Sequence, residues 1–368
     1  MRVLVVNAGS STLKASLVED ETDATDGSVT VDWLAADDDA DRVSAVLQEA
    51  LARTDAADAA DAVGYRVVHG GSRYTGPSRV DDPLLDEVER LDRLAPLHNR
   101  RAALVMRAAV DRLPDLPHVA CFDTAFHATL PEAAWRYALP ADWVEAHGIR
   151  RFGFHGLSVA WSVRRAAELL GRSVSELAIV VAHLGSGSSV TAVDGGRSAW
   201  TSMGYTPSEG LVMGTRSGSV DPGILVELVR SGVDVEALAE GLAERSGLLA
   251  LGGTPSAQEL QAAAEAGDAR ARLALDIYAR SAAMAIAGAA TALPRLDALV
   301  FTAGIGEHSA AIRGAIVGRL GALGFGADLR DADGDAVIAG GRPAVLVVEA
   351  REDVVIASEV AALLARPS

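Results

Sequence analysis

VLVVNAGSSTLKASLV, residues 3–18, places a short apolar run, a turn made of Asn, Ala, Gly and Ser, and an alternating segment one after another. Apolar runs bounded by turn residues are strand signals, and alternation marks a strand with one face buried. The stretch therefore predicts strand, tight Gly/Ser turn, strand. The same grammar returns at 178–196, AIVVAHLGSGSSVTAVDGG, where IVVA leads into LGSGSS and then into VTAV. Two copies of one device, each opening about half of the chain, point to an internal duplication.

Working outward, GYRVVHGG (64–71) reads as a strand entering a diglycine turn. Helical spacing over 81–113 is interrupted by APLHN (95–99), and HVACF (118–122) is a strand ended by Asp123 and Thr124. Helices are expected over 159–170, 224–245 and 270–293, and a terminal one over 353–366. DALVFTAGIGE (297–307) reads as a strand, then a glycine turn that feeds a helix at SAAIR; AVLVVEA (344–350) is a late strand. The acidic, Ala/Asp-rich stretch 19–62 reads as a solvated surface helix with its loops. Strands alternating with helices place the chain in the α/β class. The chemically informative loops follow Val6, Phe122, Ala182 and Phe301, and ligands of open α/β sheets gather beyond the carboxyl ends of strands.

With 368 residues, two domains are expected. The balance of 33 basic against 50 acidic residues gives −17, which argues against nucleic acid or an anionic membrane as partner. The lone cysteine, Cys121, excludes an intramolecular disulfide, fits a reducing compartment and sits in a buried strand pattern. A strand pattern that starts beside Met1 leaves no room for a signal peptide, and the apolar stretch 281–293 is too short to span a bilayer. A cytoplasmic location is expected.

Lys14 is the only lysine; the other 32 basic residues are arginine. It follows Ser10, Ser11 and Thr12 and shares a strand face with Thr12, equipment suited to an anionic phosphate. An ordinary hairpin with an exposed lysine explains the pattern equally well. LGSGSS (184–189) repeats the device, and TAGIGEHS (302–309) adds a third glycine loop with a helix start behind Gly306, so together the three favour a phosphorylated ligand. The run 201–223, TSMGYTPSEGLVMGTRSGSVDPG, has no helical or strand period. Irregular segments of that length are often functional, and Arg216 within it can clamp an anion or merely tether the loop. Asp123 ends a buried strand, the usual station of a carboxylate that handles Mg²⁺ or a reacting group. Arg66 lies inside a strand, where its charge needs a partner. His155, bracketed by glycines in GFHG (153–156), reads on its own as structural before catalytic. The scattered histidines show no HExxH or CxxC spacing, which speaks against catalytic zinc.

Taken together, VLVVNAGSSTLK, YRVVHGG, APLHN, CFDTAFHATLP, RRFGFHGLS, AHLGSGSSV, the 201–223 run, FTAGIGEHSAAIR and EAREDVVIA closely resemble the acetate kinase family. The likeness spans nearly the whole chain and comes in family order. It implies two duplicated actin-like domains with a ribonuclease-H-like core and a cleft between them: 1–124 plus 353–368, and 125–352 carrying the interface of a homodimer. It also implies reversible transfer from ATP to acetate with Mg²⁺ or Mn²⁺. Asn7 and Glu352 resemble the metal residues. Ser10, Thr12, Lys14, His183, Gly185, Ser186, Gly187, Gly304 and Gly306 resemble the phosphate and nucleotide residues. Arg66, Asp123, His155, His183 and Arg216 match catalytic positions, and Arg66, Val68, Leu97, Phe154 and Pro207 match the acetate site. On that reading Arg66→Ala and Arg216→Ala each cut turnover by orders of magnitude with little loss of folding.

Three departures stand out. Ser186 replaces the asparagine of HLGNG, and Tyr65 replaces the histidine of GHR. After SGLL the family has a segment like SGxSSDxRD, whose Asp and Arg hold the nucleoside; here 246–261 reads SGLLALGGTPSAQELQ, with neither in register. ATP remains the expected donor, with GTP or pyrophosphate as alternatives and propionate as an alternative acid. A non-catalytic paralogue that binds a phosphate ligand is the competing class.

Overall fold

The computed structural model describes all residues except 10, 11, 21, 33–38, 55–58, 96, 97, 327, 367 and 368. The chain forms two compact units, one comprising Met1–Ala128, Phe154–Trp161 and Arg351–Ser368, the other Thr129–Gly153 and Ser162–Ala350.

The first unit is built on strands β1 (Arg2–Ala8), β2 (Thr12–Glu19), β3 (Ala24–Asp32), β4 (Ala62–Val67), β5 (Ser78–Arg79) and β6 (His118–Phe122), in the order β3-β2-β1-β4-β6-β5. The two strands of the opening stretch form as expected: β1 and β2 pair antiparallel, with Ala8 opposite Leu13. Strands β1, β4 and β6 run parallel. Alternation divides the sheet's faces. Leu4, Val6, Val63, Tyr65 and Val67 face a core shared with the helices Ala40–Thr54, Asp82–Arg90 and Asn99–Arg112. Arg66 and Cys121, register partners on β4 and β6, take the opposite face, where the helix Glu352–Leu364 packs on the sheet. Strand β3 lies in the acidic stretch expected to hold only a helix with loops. Its exposed positions carry the polar residues, so it is an edge strand with little apolar alternation to announce it.

The second unit repeats the plan with β7 (Ala178–Leu184), β8 (Ser188–Asp194), β9 (Arg197–Thr201), β10 (Ala298–Thr302), β11 (Ala336–Ala339) and β12 (Ala344–Val347), in the order β11-β12-β10-β7-β8-β9. Read from the other edge, β9-β8-β7-β10-β12-β11 matches the first sheet strand for strand. Two antiparallel pairings are followed by two parallel ones and an antiparallel edge. Small residues on the helix Ala269–Ala290, among them Ala274, Ala279, Ala282 and Ala283, bring it close against Val180, Ala182 and Phe301. By length and composition this is the one helix among the described residues able to cross a membrane. Residues 281–290 of the stretch expected to be too short for a span belong to this longer helix, which Asp268 starts by accepting from Arg270 and Ala271. The single helix expected over 224–245 is two, Pro222–Arg230 and Val235–Glu244. Gly232, at φ +98, turns the chain, and Asp234 caps the second helix through Ala237 N–H.

Candidate active site

Arg66 stands near the carboxyl end of β4 on the face lined by the helix Glu352–Leu364, so its guanidinium reaches both the end of β6 and that helix's first turn. Its Nε donates to Asp123 Oδ1 at 3.1 Å and its Nη2 to Oδ2 at 2.7 Å, a bidentate fork. Its Nη1 lies 3.2 Å from Glu352 Oε2. A guanidinium has five N–H groups, so among the described residues these contacts leave one on each terminal nitrogen. The Asp123 side chain is 1 % exposed and that of Arg66 18 %, so the guanidinium keeps some access to solvent while its carboxylate partner does not. Burial works against the Arg66 charge, but Asp123 and Glu352 outweigh it and hold the guanidinium protonated more firmly than usual.

The GFHG turn is pinned to this cluster through its last glycine. Gly156 N–H donates to Asp123 O at 3.0 Å, and a Cβ there would fall 2.2 Å from that oxygen. No side chain fits. His155, at φ +58, holds a left-handed backbone that few non-glycine residues adopt, and such strain gathers at functional sites. Phe154 is buried, edge-on to His69, the residue after half-buried Val68. His127 Nε2 meets Phe154 O at 2.9 Å; a carbonyl only accepts, so this nitrogen carries the proton. Burial keeps that imidazole neutral and pushes its pKa down to about 4. Asn99, from APLHN, accepts from His69 N–H and donates to the His69 and Val88 carbonyls.

In the opening hairpin, Asn7 is the register partner of both Lys14 on β2 and Arg66 on β4. The N–H of Gly9 donates to Thr12 O at 2.8 Å, and Lys14 is exposed. Ser10 and Leu97 lie outside the described residues.

The second unit brings together another group. Arg216 Nη1 donates to Pro207 O at 3.1 Å, and among the described residues no carboxylate pairs with this guanidinium. Burial lowers its pKa, the signature of a cation held without its counter-charge. Ser186, the exposed tip of the 185–187 turn, accepts through its carbonyl from Gly214 N–H, joining that turn to the Arg216 segment. His183 lies opposite Ser189 and Thr302 in the sheet, and Gly185 sits beside Ala303. TAGIGEHS is not a glycine turn. Ala303–His308 is a short helix starting directly from β10, with Gly304 and Gly306 inside it and Ala303 at φ +65. The SAAIR helix follows as Ala310–Val317, capped by Ser309. Glu307 supplies the reason: its carboxylate accepts from the Ala303 and Ala350 N–H groups and closes the turn into a helix.

A sequence profile described as the Acetokinase family matches residues 30–358. The chain belongs to this family. It is 47% identical over 311 residues to an acetate kinase of Deinococcus radiodurans, covering 82% of this chain and 78% of that protein. It is 46% identical over 344 residues to an acetate kinase of Pseudarthrobacter chlorophenolicus, covering 89% and 88%. Among solved structures, a propionate kinase from Francisella tularensis superposes with a TM-score of 0.88 at 33% identity, covering 97% of this chain and 98% of that one. An acetate kinase from Porphyromonas gingivalis does so with 0.87 at 31%, covering 99% of each.

For an acetokinase, two of the departures are absorbed quietly. Tyr65 points away from Arg66, into the core, where its hydroxyl donates to His118 Nδ1 at 2.6 Å and the two rings stack. Ser186 takes part through its backbone, which any residue supplies. The 246–261 segment is recast as a helix Gly247–Gly252, a turn at Gly253, and a helix Ala257–Glu265 capped by Ser256. Sequence reading missed Arg151 and Glu209. Arg151 bonds Glu209 and the Ser202 and Met203 carbonyls, while Tyr137 donates to Glu209, so the irregular run is anchored from 137 and 151. The signal was present in the glutamate of YTPSEG, the one charged residue of 201–215.

Proposed function

We propose that this acetokinase is an acetate kinase that moves the γ-phosphoryl of ATP reversibly to acetate, giving acetyl phosphate and ADP. The observation that carries this is the Arg66 guanidinium, fixed by Asp123 and Glu352, with N–H groups on its terminal nitrogens that are unused among the described residues and can meet a second carboxylate. Half-buried Val68 and buried Phe154 supply the apolar surface a methyl group needs.

The chemistry asks little else of the acceptor side. Acetate is ionised at neutral pH, so its oxygen attacks phosphorus without a general base and no proton moves. One O–P bond forms as the bond to the leaving diphosphate breaks, and catalysis is alignment plus neutralisation of charge. Asp123 fixes the plane of Arg66, and Arg66 orients the carboxylate. Arg216 meets the charge on the transferring phosphoryl, and Lys14, Thr12 and the 185–187 turn serve the donor phosphates. Mg²⁺ or Mn²⁺, when bound, shields the donor's phosphate charge. Asn7 and Glu352 would hold it, since Mg²⁺ takes one or two carboxylates together with phosphates and water, and Glu352 meets Arg66 through one oxygen only.

Trapping acetyl phosphate as its hydroxamate, with ATP, GTP and pyrophosphate each tested against acetate and propionate, checks the assignment. ATP with acetate is expected to give the highest rate. Product with pyrophosphate alone would replace the donor, a preference for propionate would replace the acid, and no product in any combination would leave the non-catalytic reading.

The second unit also carries the surface of a homodimer. Ile224, Val226, Leu228 and Val229 of the helix Pro222–Arg230 are exposed, and Val235 beyond it is 66% exposed. Apolar groups clustered in this way mark an interaction site. Ile224→Glu with Val229→Glu is expected to convert a dimer to a monomer in sedimentation; an unchanged mass would place the interface elsewhere. The buried thiol of Cys121 suits a reducing cytoplasm.

A further inference from the structure

The turn bearing Arg216 is not held by its own segment. The N–H groups of Leu248, Leu249 and Ser246 donate to the carbonyls of Met213, Gly214 and Thr215 at 2.9, 3.0 and 2.9 Å. Thr215 Oγ1 donates to Ala243 O at 2.9 Å, and Ser217 N–H donates to Leu242 O at 3.0 Å. Residues 242–249 thus make five hydrogen bonds to four positions of the turn, 213, 214, 215 and 217, and only one of the five uses a side chain. At the centre of this clamp is Gly247, at φ +63, where a Cβ would lie 2.2 Å from Met213 O, 2.8 Å from Arg216 O and 3.0 Å from Gly214 O. The backbone approach is therefore as close as glycine allows, and the conformation is one that other residues adopt at a cost. Among the described residues the Arg216 guanidinium has the Pro207 carbonyl and the Met213 sulfur as its partners, so its backbone turn sets where the guanidinium stands.

We propose that Gly247 is a positioning residue for Arg216, its missing side chain setting the height of the 213–216 turn above the Gly247–Gly252 helix. The inference rests on the reading of Arg216 as the residue that meets the transferring phosphoryl. It also gives SGLL a task separate from the nucleoside-binding segment that follows it in the family. The clamp and the 250–261 segment are continuous in sequence.

A double-mutant cycle of Gly247→Ala and Arg216→Ala, reading kcat and melting temperature, tests it. A displacement of about 1 Å in a positioned group costs about 100-fold, so Gly247→Ala alone is expected to lower kcat by that order. In the Arg216→Ala background it is expected to cost less than about threefold, while its shift in melting temperature is the same in both backgrounds. An equal loss of kcat in both backgrounds overturns the inference and leaves Gly247 a structural residue. Near-normal kcat in Arg216→Ala alone overturns instead the role of Arg216. Should Gly247→Ala not fold, Thr215→Val, which removes only the hydroxyl tether to Ala243, takes its place in the same cycle. An expected loss of about tenfold should again vanish without Arg216.

Discussion

Arg216→Ala is expected to lower turnover by about 10³-fold or more, the contribution of an arginine that neutralises a phosphoryl group in flight. The fold should barely notice. The guanidinium has no carboxylate among the described residues, and its removal frees one part-buried carbonyl, that of Pro207, at a cost of about 1 kcal/mol. Burial already lowers its pKa, so the isolated charge is a burden on the folded state that a bound anion relieves. Lysine is a poor substitute, because a single ammonium cannot reproduce the planar fork. Steady-state kinetics beside a thermal melt separates the two effects. Turnover within a few-fold of the parent would remove Arg216 from the chemistry.

The opening hairpin and its echo at 178–196 were legible because both strands and turn obey local rules, and the sheets they head share one topology. The edge strand Ala24–Asp32 was not legible, because its residues are mostly exposed and carry little apolar alternation. GIGEH misread as a turn for a different reason. Two glycines within five residues predict a turn locally, but Glu307 satisfies the N–H of Ala303 and makes the segment a helix. Site residues carried by polar runs stood out in the sequence. Those that act through backbone or burial did not: His127 under Phe154, Asn99 under His69 and Gly247 under the Arg216 turn leave no pattern in composition or period.

Arg66→Ala is expected to lose turnover by orders of magnitude too, but for this residue the fold does not stay intact. The sequence reading expects little loss of folding. The structure places it against two carboxylates, one of them 1 % exposed. Deleting one member of a buried ion pair strands the other, at a cost of about 3–5 kcal/mol. Losing its guanidinium partner raises the pKa of the buried carboxylate relative to the parent, so the variant's folded state holds a proton to higher pH than the parent's does. Its stability deficit against the parent should therefore shrink as pH falls from neutrality toward the carboxylate range. Arg66→Ala combined with Asp123→Ala removes the buried carboxylate as well, so it should recover part of the melting temperature and none of the turnover. If the single variant melts like the parent at neutral pH, Asp123 does not depend on Arg66 for its burial. If the double variant regains activity, the carboxylate-binding fork lies elsewhere.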